Sequence, residues 1–172
     1  MEKTLRRTIR DVPDFPRKGV VFKDITPVLR DAALFRATTA AMANGHQASG
    51  ITHVVAIESR GFLLGGPIAQ ALGAGLIPAR KAGKLPYTCH VEEYALEYGS
   101  DRLEMHADAL GATDRVLIVD DVLATGGTAA ATCRLVERLG ATVVGCTFLI
   151  ALSFLPGLTT MAARDPYALV RY

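Results

Sequence analysis

Apolar positions along the chain form two kinds of run, and the difference predicts the elements. Residues 52–57 (THVVAI), 75–79 (GLIPA), 115–119 (RVLIV) and part of 141–152 (ATVVGCTFLIAL) are short, nearly continuous apolar stretches rich in β-branched side chains, the pattern of strands covered on both faces. Residues 31–48, 62–72 and 127–139 instead repeat apolar positions at helical spacing. Asp31 is placed to cap the first of these helices, and Pro67 falls near the opening turns of the second. Residues 19–29 (GVVFKDITPVL) read as a short extended piece with a turn near Asp24, and 102–108 (RLEMHAD) alternates like a strand. Strands that alternate with helices imply right-handed crossovers and a mainly parallel sheet. The fold expected is α/β, doubly wound, with helices on both faces, in a single domain over 1–172.

Two stretches break the alternation. Up to Pro16 the chain is polar and punctuated by Pro13 and Pro16. Residues 80–101 (RKAGKLPYTCHVEEYALEYGSD) are charged and hold Gly83, Pro86 and Gly99; a connection this long in a compact domain is a lid, a binding loop or disorder. In a doubly wound sheet ligands sit beyond the C-terminal ends of the strands. ESRG (58–61), ARKAGK (79–84) and DDVLATGGT (120–128) each follow such an end, so three charged or glycine-bearing loops share one rim.

The last of these loops carries chemistry. Strand, glycine-rich turn and helix start together make an anion cradle of backbone N–H groups and helix dipole. Neither the Walker spacing nor GxGxxG is present. Asp120 and Asp121 would repel a phosphate unless they touch something else. A pentose monophosphate resolves the conflict, with its phosphate on residues 124–128 and its 2′ and 3′ hydroxyls on the two acids. A capping pair beside a tight turn is the simpler alternative.

Composition narrows the classes. The chain has 172 residues, half of them apolar, and a net charge of +2, too small to argue for nucleic acid or an anionic membrane. Arg6, Arg7 and Arg10 read as a solvated helix face; Arg80, Lys81 and Lys84 form a second basic group. Three cysteines are not a disulfide framework, and Cys133 and Cys146 lie in apolar surroundings. No CxxC or HExxH occurs, the N-terminus lacks the apolar core of a signal peptide, and no window reaches a membrane span. The expectation is a reduced, cytoplasmic setting with no membrane or nucleic-acid partner.

VLIVDDVLATGGT (116–128) resembles the 5-phosphoribosyl 1-diphosphate (PRPP) binding motif of the type I phosphoribosyltransferases. The stretches RDVPDFPRKGVVFKDITPVL (10–29), ESRGFLLGGPIA (58–69), RKAGKLP (80–86) and YALEYGSDRLEMHADAL (94–110) are similar, in order and spacing, to the adenine-specific branch of that family. The resemblance runs from about Ile9 to Phe154. It implies transfer of ribose 5-phosphate from PRPP to adenine, giving AMP and pyrophosphate, with Mg²⁺ held mainly by PRPP near Asp120 and Asp121.

The site follows by the same resemblance. Asp120 and Asp121 take the ribose; Ala124, Thr125, Gly126, Gly127 and Thr128 the 5′-phosphate; Ser59, Arg60, Arg80, Lys81 and Lys84 the pyrophosphate. Phe22 and Leu152 sandwich the base, and the backbone around Val21 and Lys23 reads its edge. Residues 1–30 form a hood over the base site, and 82–101 a flexible lid in which Glu97 is the catalytic acid or base and Tyr98 its neighbour. The residues alone do not choose among Glu92, Glu93 and Glu97, nor exclude Phe22 as plain core or the basic rim as solubilising surface. The family also implies a homodimer. In the family the ESRG loop often carries a cis peptide, which no sequence reveals.

From Leu139 to Ala163 no residue is charged and none is Asn or Gln. If the strand end at 149–155 walls the base site, that wall is apolar, which suits adenine and lacks the lysine that reads 6-oxo purines in related enzymes. Two positions depart from the family pattern: Ala151 stands where several relatives carry a polar or acidic residue, and Lys23 stands where the family has Arg. The rival readings are a transferase for another purine, a non-catalytic PRPP sensor of the same fold, and a simple anion-binding module. The tail after Pro156 suggests no role.

Overall fold

The computed structural model describes residues 1–95 and 100–172. In chain order the elements are α1 (Glu2–Thr8), β1 (Arg10–Pro13), β2 (Val21–Asp24), α2 (Thr26–Arg30), α3 (Ala32–Asn44), β3 (His53–Ile57), α4 (Arg60–Leu72) and β4 (Gly75–Lys81). There follow β5 (Cys89–Ala95), β6 (Ser100–His106), β7 (Arg115–Leu123), α5 (Gly127–Arg138), β8 (Thr142–Ala151), α6 (Gly157–Thr160) and β9 (Tyr167–Arg171).

Among the described residues, seven strands form one sheet in the order β5-β6-β4-β3-β7-β8-β9, and β1 and β2 make a separate antiparallel pair. The five strands β4-β3-β7-β8-β9 run parallel, while β6 is antiparallel to β4 and β5 to β6. The chain adds β4 on one side of β3 and later β7 on the other. The crevice above the ends of β3 and β7 is therefore the topological switch point, where doubly wound sheets bind ligands.

The continuous apolar runs are buried on both faces because side chains alternate along a strand. Val55, Ile57, Ile118 and Phe148 pack with Ala131, Leu135 and Val136 of α5. Val54, Leu117, Val119 and Leu149 pack on the other face with Met42 of α3 and with Leu64 and Ile68 of α4. Cys133 and Cys146 are both buried in the α5 side of this core, their sulfurs 3.9 Å apart. Asp31 caps α3 as its position predicts, accepting from the N–H groups of Ala33 and Leu34. That helix ends at Asn44, four residues before the limit its apolar spacing suggests.

Two expectations are corrected. The stretch 82–101 is not one long loop: Cys89–Ala95 is a strand paired in register with Ser100–His106, from Cys89 opposite His106 to Ala95 opposite Ser100. Adjacent Glu92 and Glu93 mask its alternation, but Tyr94 is buried and Glu92 pairs across with Arg134 of α5 at 3.1 Å. The tail also contributes a strand, β9, which extends the sheet beside β8. Its single turn-like neighbours give no periodicity to read. Glu97 and Tyr98 lie outside the described residues.

Candidate functional site

At the switch point lies an open cavity of about 570 Å³. Its walls include Val21, Phe22 and Lys23 from β2, Ser59 after β3 and Arg60 at the start of α4, Lys81 from the end of β4, Asp120 and Asp121 from β7, Ala124 from the next turn, Thr128 at the start of α5, and Leu152. A small recess of about 70 Å³ adjoins it, lined by Ala124, Thr125, Gly126 and Thr128. The geometry thus gathers residues from the first 25 positions, the middle and the last quarter of the chain into one basin.

Ala124, Thr125, Gly126 and Thr128, expected to cradle an anion, line this recess. Gly126 caps α5 with φ of +86°, a left-handed conformation that a side chain strains. α5 then begins at Gly127, so its free N–H groups and its positive dipole end face the recess. The loop is buttressed by the tail: the N–H of Gly157 donates to the Ala124 carbonyl at 2.9 Å. A Cβ on Gly157 would lie 2.3 Å from that oxygen, so only glycine fits. Gly157 escapes sequence reading because its partner is 33 positions away.

Asp120 and Asp121 sit inside the paired part of β7, since Asp120 lies opposite Phe148 and pairing continues to Leu123. Asp121 is 4% exposed and accepts from the Nε–H of Arg60. Burial, and then the neighbouring Asp121 charge, hold the Asp120 carboxyl well above the usual carboxylate range. The Arg60 guanidinium stands 5.1 Å from the centre of the Phe22 ring, which meets Phe15 edge to face at 5.2 Å. The Lys23 ammonium turns to Asp11, at 2.6 Å, and to the Tyr172 ring, at 3.9 Å.

The basic rim is not a bare positive patch. Arg80 and Lys84 both pair with Glu58, whose Oε2 also accepts from the Lys81 N–H at 3.1 Å. Burial raises the Glu58 carboxyl, but the Lys84 ammonium and the Lys81 N–H outweigh it and hold it low. Lys81 pairs with Asp101 at 3.0 Å, and this bond raises the ammonium's pKa. Glu104, 5% exposed, accepts from the N–H groups of Gly83, Lys84 and Leu85 at 3.0, 2.8 and 2.8 Å. It fixes the turn that carries Lys84. Sequence reading missed Glu58, Asp101 and Glu104 as organisers. For Glu104 a signal existed: an acid between Leu103 and Met105, both buried. The Glu58–Ser59 peptide is cis, as the family resemblance allows.

Among the described residues, no three His, Cys, Asp or Glu side chains converge as a metal cage. The Asp120–Asp121 pair fits a Mg²⁺ ion that takes most of its oxygens from a substrate: two adjacent carboxyl groups on the cavity wall suit a cation brought by a diphosphate.

The fold and the cradle together define a phosphoribosyltransferase. Residues 26–153 match the model of the phosphoribosyl transferase domain. The chain is 60% identical over 153 residues to adenine phosphoribosyltransferase of Myxococcus xanthus, covering 89% of this chain and 83% of that protein. It is 52% identical, over the full length of both, to the enzyme of the same name from Anaeromyxobacter dehalogenans. The solved adenine phosphoribosyltransferase of Rhodothermus marinus superposes with a TM-score of 0.95 at 54% identity, covering 99% of this chain and 97% of the other. The Saccharomyces cerevisiae enzyme, solved with adenine and an imino-altritol bisphosphate, superposes at 0.87 with 41% identity and 92% coverage of each chain. The chain belongs to the adenine phosphoribosyltransferase family.

Proposed function

We propose that this chain transfers the 5-phosphoribosyl group of PRPP to adenine, forming AMP and pyrophosphate in purine salvage. One observation carries the reading: a cavity runs from an apolar wall at Phe22 and Leu152 past two carboxylates and adjoins a recess at a helix N-terminus lined by hydroxyls and glycine. Base, sugar and phosphate meet those three surfaces in the order in which they are joined in AMP.

The 5′-phosphate takes the N–H groups of 124–128, and the ribose hydroxyls take Asp120 and Asp121. The pyrophosphate takes Ser59, Arg60, Arg80, Lys81 and Lys84, with Arg60 leaving Asp121 as substrate enters. Mg²⁺, when bound, neutralises the diphosphate and stabilises it as a leaving group. As the C1–O bond to pyrophosphate breaks, positive charge develops on the ribose ring, adenine N9 bonds to C1, and N9 gives up its proton. Phe22 and Leu152 hold the adenine ring, and the backbone at Val21 and Lys23 reads its edge. Residues 1–30 act as the hood. Residues 82–101 act as the lid that excludes water from the reactive ribose, with Glu97 acting on the base and Tyr98 its neighbour in the sequence. Replacing Glu97 with Ala is expected to lower kcat at least 100-fold with PRPP binding kept, read from steady-state rates beside PRPP titration.

The functional unit in this reading is a homodimer, supported by Leu63 and Leu76, apolar yet half exposed. It works in the cytoplasm. Three free cysteines suit a reducing setting, and among the described residues no helix is long and apolar enough to cross a membrane.

The test mixes protein, PRPP and Mg²⁺ with adenine, hypoxanthine, guanine or xanthine in turn and follows pyrophosphate release. Turnover with adenine alone supports the reading. Turnover with a 6-oxo purine rejects the apolar-wall argument, and PRPP binding without turnover rejects catalysis.

A further inference from the structure

Each of the four cations assigned to the diphosphate is already paired with a carboxylate of the chain: Arg60 with Asp121, Arg80 and Lys84 with Glu58, and Lys81 with Asp101. Asp121 has a role toward ribose, and Glu58 is 9% exposed at its side chain and tied to backbone. Asp101 differs from both. It lines the cavity and has no assigned partner in the substrates. It stands directly opposite Tyr94 in the hairpin register. Its Oδ2 receives the Lys81 ammonium at 3.0 Å and the Tyr94 hydroxyl at 3.3 Å, and its Oδ1 accepts the Arg102 N–H at 2.8 Å. Three donors thus fix a carboxylate on the wall of a cavity that must admit a polyanion. Tyr94, whose hydroxyl donates to Asp101, lines the same cavity as Thr128 at the start of α5.

A carboxylate in this place opposes diphosphate binding in two ways. It occupies the Lys81 ammonium, and it repels the incoming negative charge. We propose that Asp101 is a positioning residue that competes with the diphosphate for Lys81, holding the ammonium before the diphosphate arrives and reclaiming it as pyrophosphate leaves. The exchange replaces one charge-assisted bond by another, so the diphosphate gains less from Lys81 than an unpaired ammonium would give. Tight binding of a product slows its release without assisting the chemical step; an internal anion that takes the lysine back counters this. The inference rests on the assignment of Lys81 to the diphosphate made above.

The direction of the effect separates this role from a structural one, because loss of a structural contact weakens binding. Titration calorimetry of magnesium pyrophosphate on the whole protein is expected to show about two- to fivefold tighter binding in Asp101→Asn, the size expected of one partly exposed ion pair. Steady-state inhibition by pyrophosphate shifts by the same factor, while AMP affinity is unchanged. Asp101→Glu restores the charge and returns the affinity toward the parent value. Adding Lys81→Ala to Asp101→Asn removes the gain. Asp101→Ser gives a second route should the amide variant fold poorly. If Asp101→Asn leaves pyrophosphate affinity unchanged or weaker while Lys81→Ala weakens it, the competition is overturned and the diphosphate assignment stands. If Lys81→Ala alone leaves it unchanged, the assignment fails and the inference falls with it.

Discussion

At the scale of single residues, the site is organised by carboxylates that hold other groups in place. Asp120 is raised by burial and by Asp121. A carboxyl raised on folding contributes its stability below the unfolded value, and that contribution is lost as pH rises through the folded one. Ionising Asp120 therefore works against the fold. Asp120→Asn is expected to stabilise the protein by about 1 kcal/mol at pH 7 while raising the KM for PRPP at least tenfold, seen by thermal melting and initial rates. Glu104 has the opposite sign. Burial raises it, but the N–H groups of Gly83, Leu85 and Lys84 outweigh burial and hold it low. Its stability is complete above the ordinary value of 4.5 and is lost as pH falls through the lowered one. Glu104→Gln should cost about 2 kcal/mol at pH 7, with the gap to the parent closing as pH falls toward 3 in denaturant titrations. Glu104 was legible as an acid inside an apolar strand; its three partners were not, because they lie about 20 positions earlier.

At the scale of elements, the cradle depends on a segment that the sequence leaves without a role. α6 contributes Gly157, whose N–H holds the Ala124 carbonyl and whose missing side chain makes room for it. Gly157→Ala would push a methyl into that carbonyl and shift the 124–128 turn. KM for PRPP is expected to rise about 10- to 100-fold with a smaller change in base affinity, measured by varying each substrate in turn. The hairpin β5–β6 shows why the other half of the site was harder to read. Its strand alternates, but Glu92 and Glu93 are consecutive, and Glu92 is drawn to Arg134 and Arg138 on α5. That attraction is a tertiary contact, so local hydropathy points to a loop.

At the scale of the whole molecule, the site is a junction of β2, three parallel strand ends and the start of α5, and it belongs to no single one of them. Substrate that bridges these parts ties the sheet together. PRPP with Mg²⁺ at 100 times its dissociation constant should stabilise the fold by about 2.7 kcal/mol, or about 5–10 °C in melting temperature for a domain of this size. Adenine alone, a smaller and uncharged ligand, should give a much smaller shift. Differential scanning fluorimetry with each ligand separately and together checks both.

The sequence by itself determined what local chemistry dictates. Apolar runs such as VLIV at 116–119 predicted strands covered on both faces, Asp31 a helix start, and the glycines of 124–128 a tight turn into a helix. The order of strands and helices then predicted a doubly wound sheet. Only the tertiary structure decided how the charges on the site's rim are spent. Glu58 takes two cations, Asp101 takes Lys81, Asp121 takes Arg60, and Glu104 gathers three N–H groups. These pairings join positions 19 to 61 residues apart. Local propensity acts over a few residues along the chain, whereas an ion pair depends on distance through space, which exists only once the strands have been placed side by side.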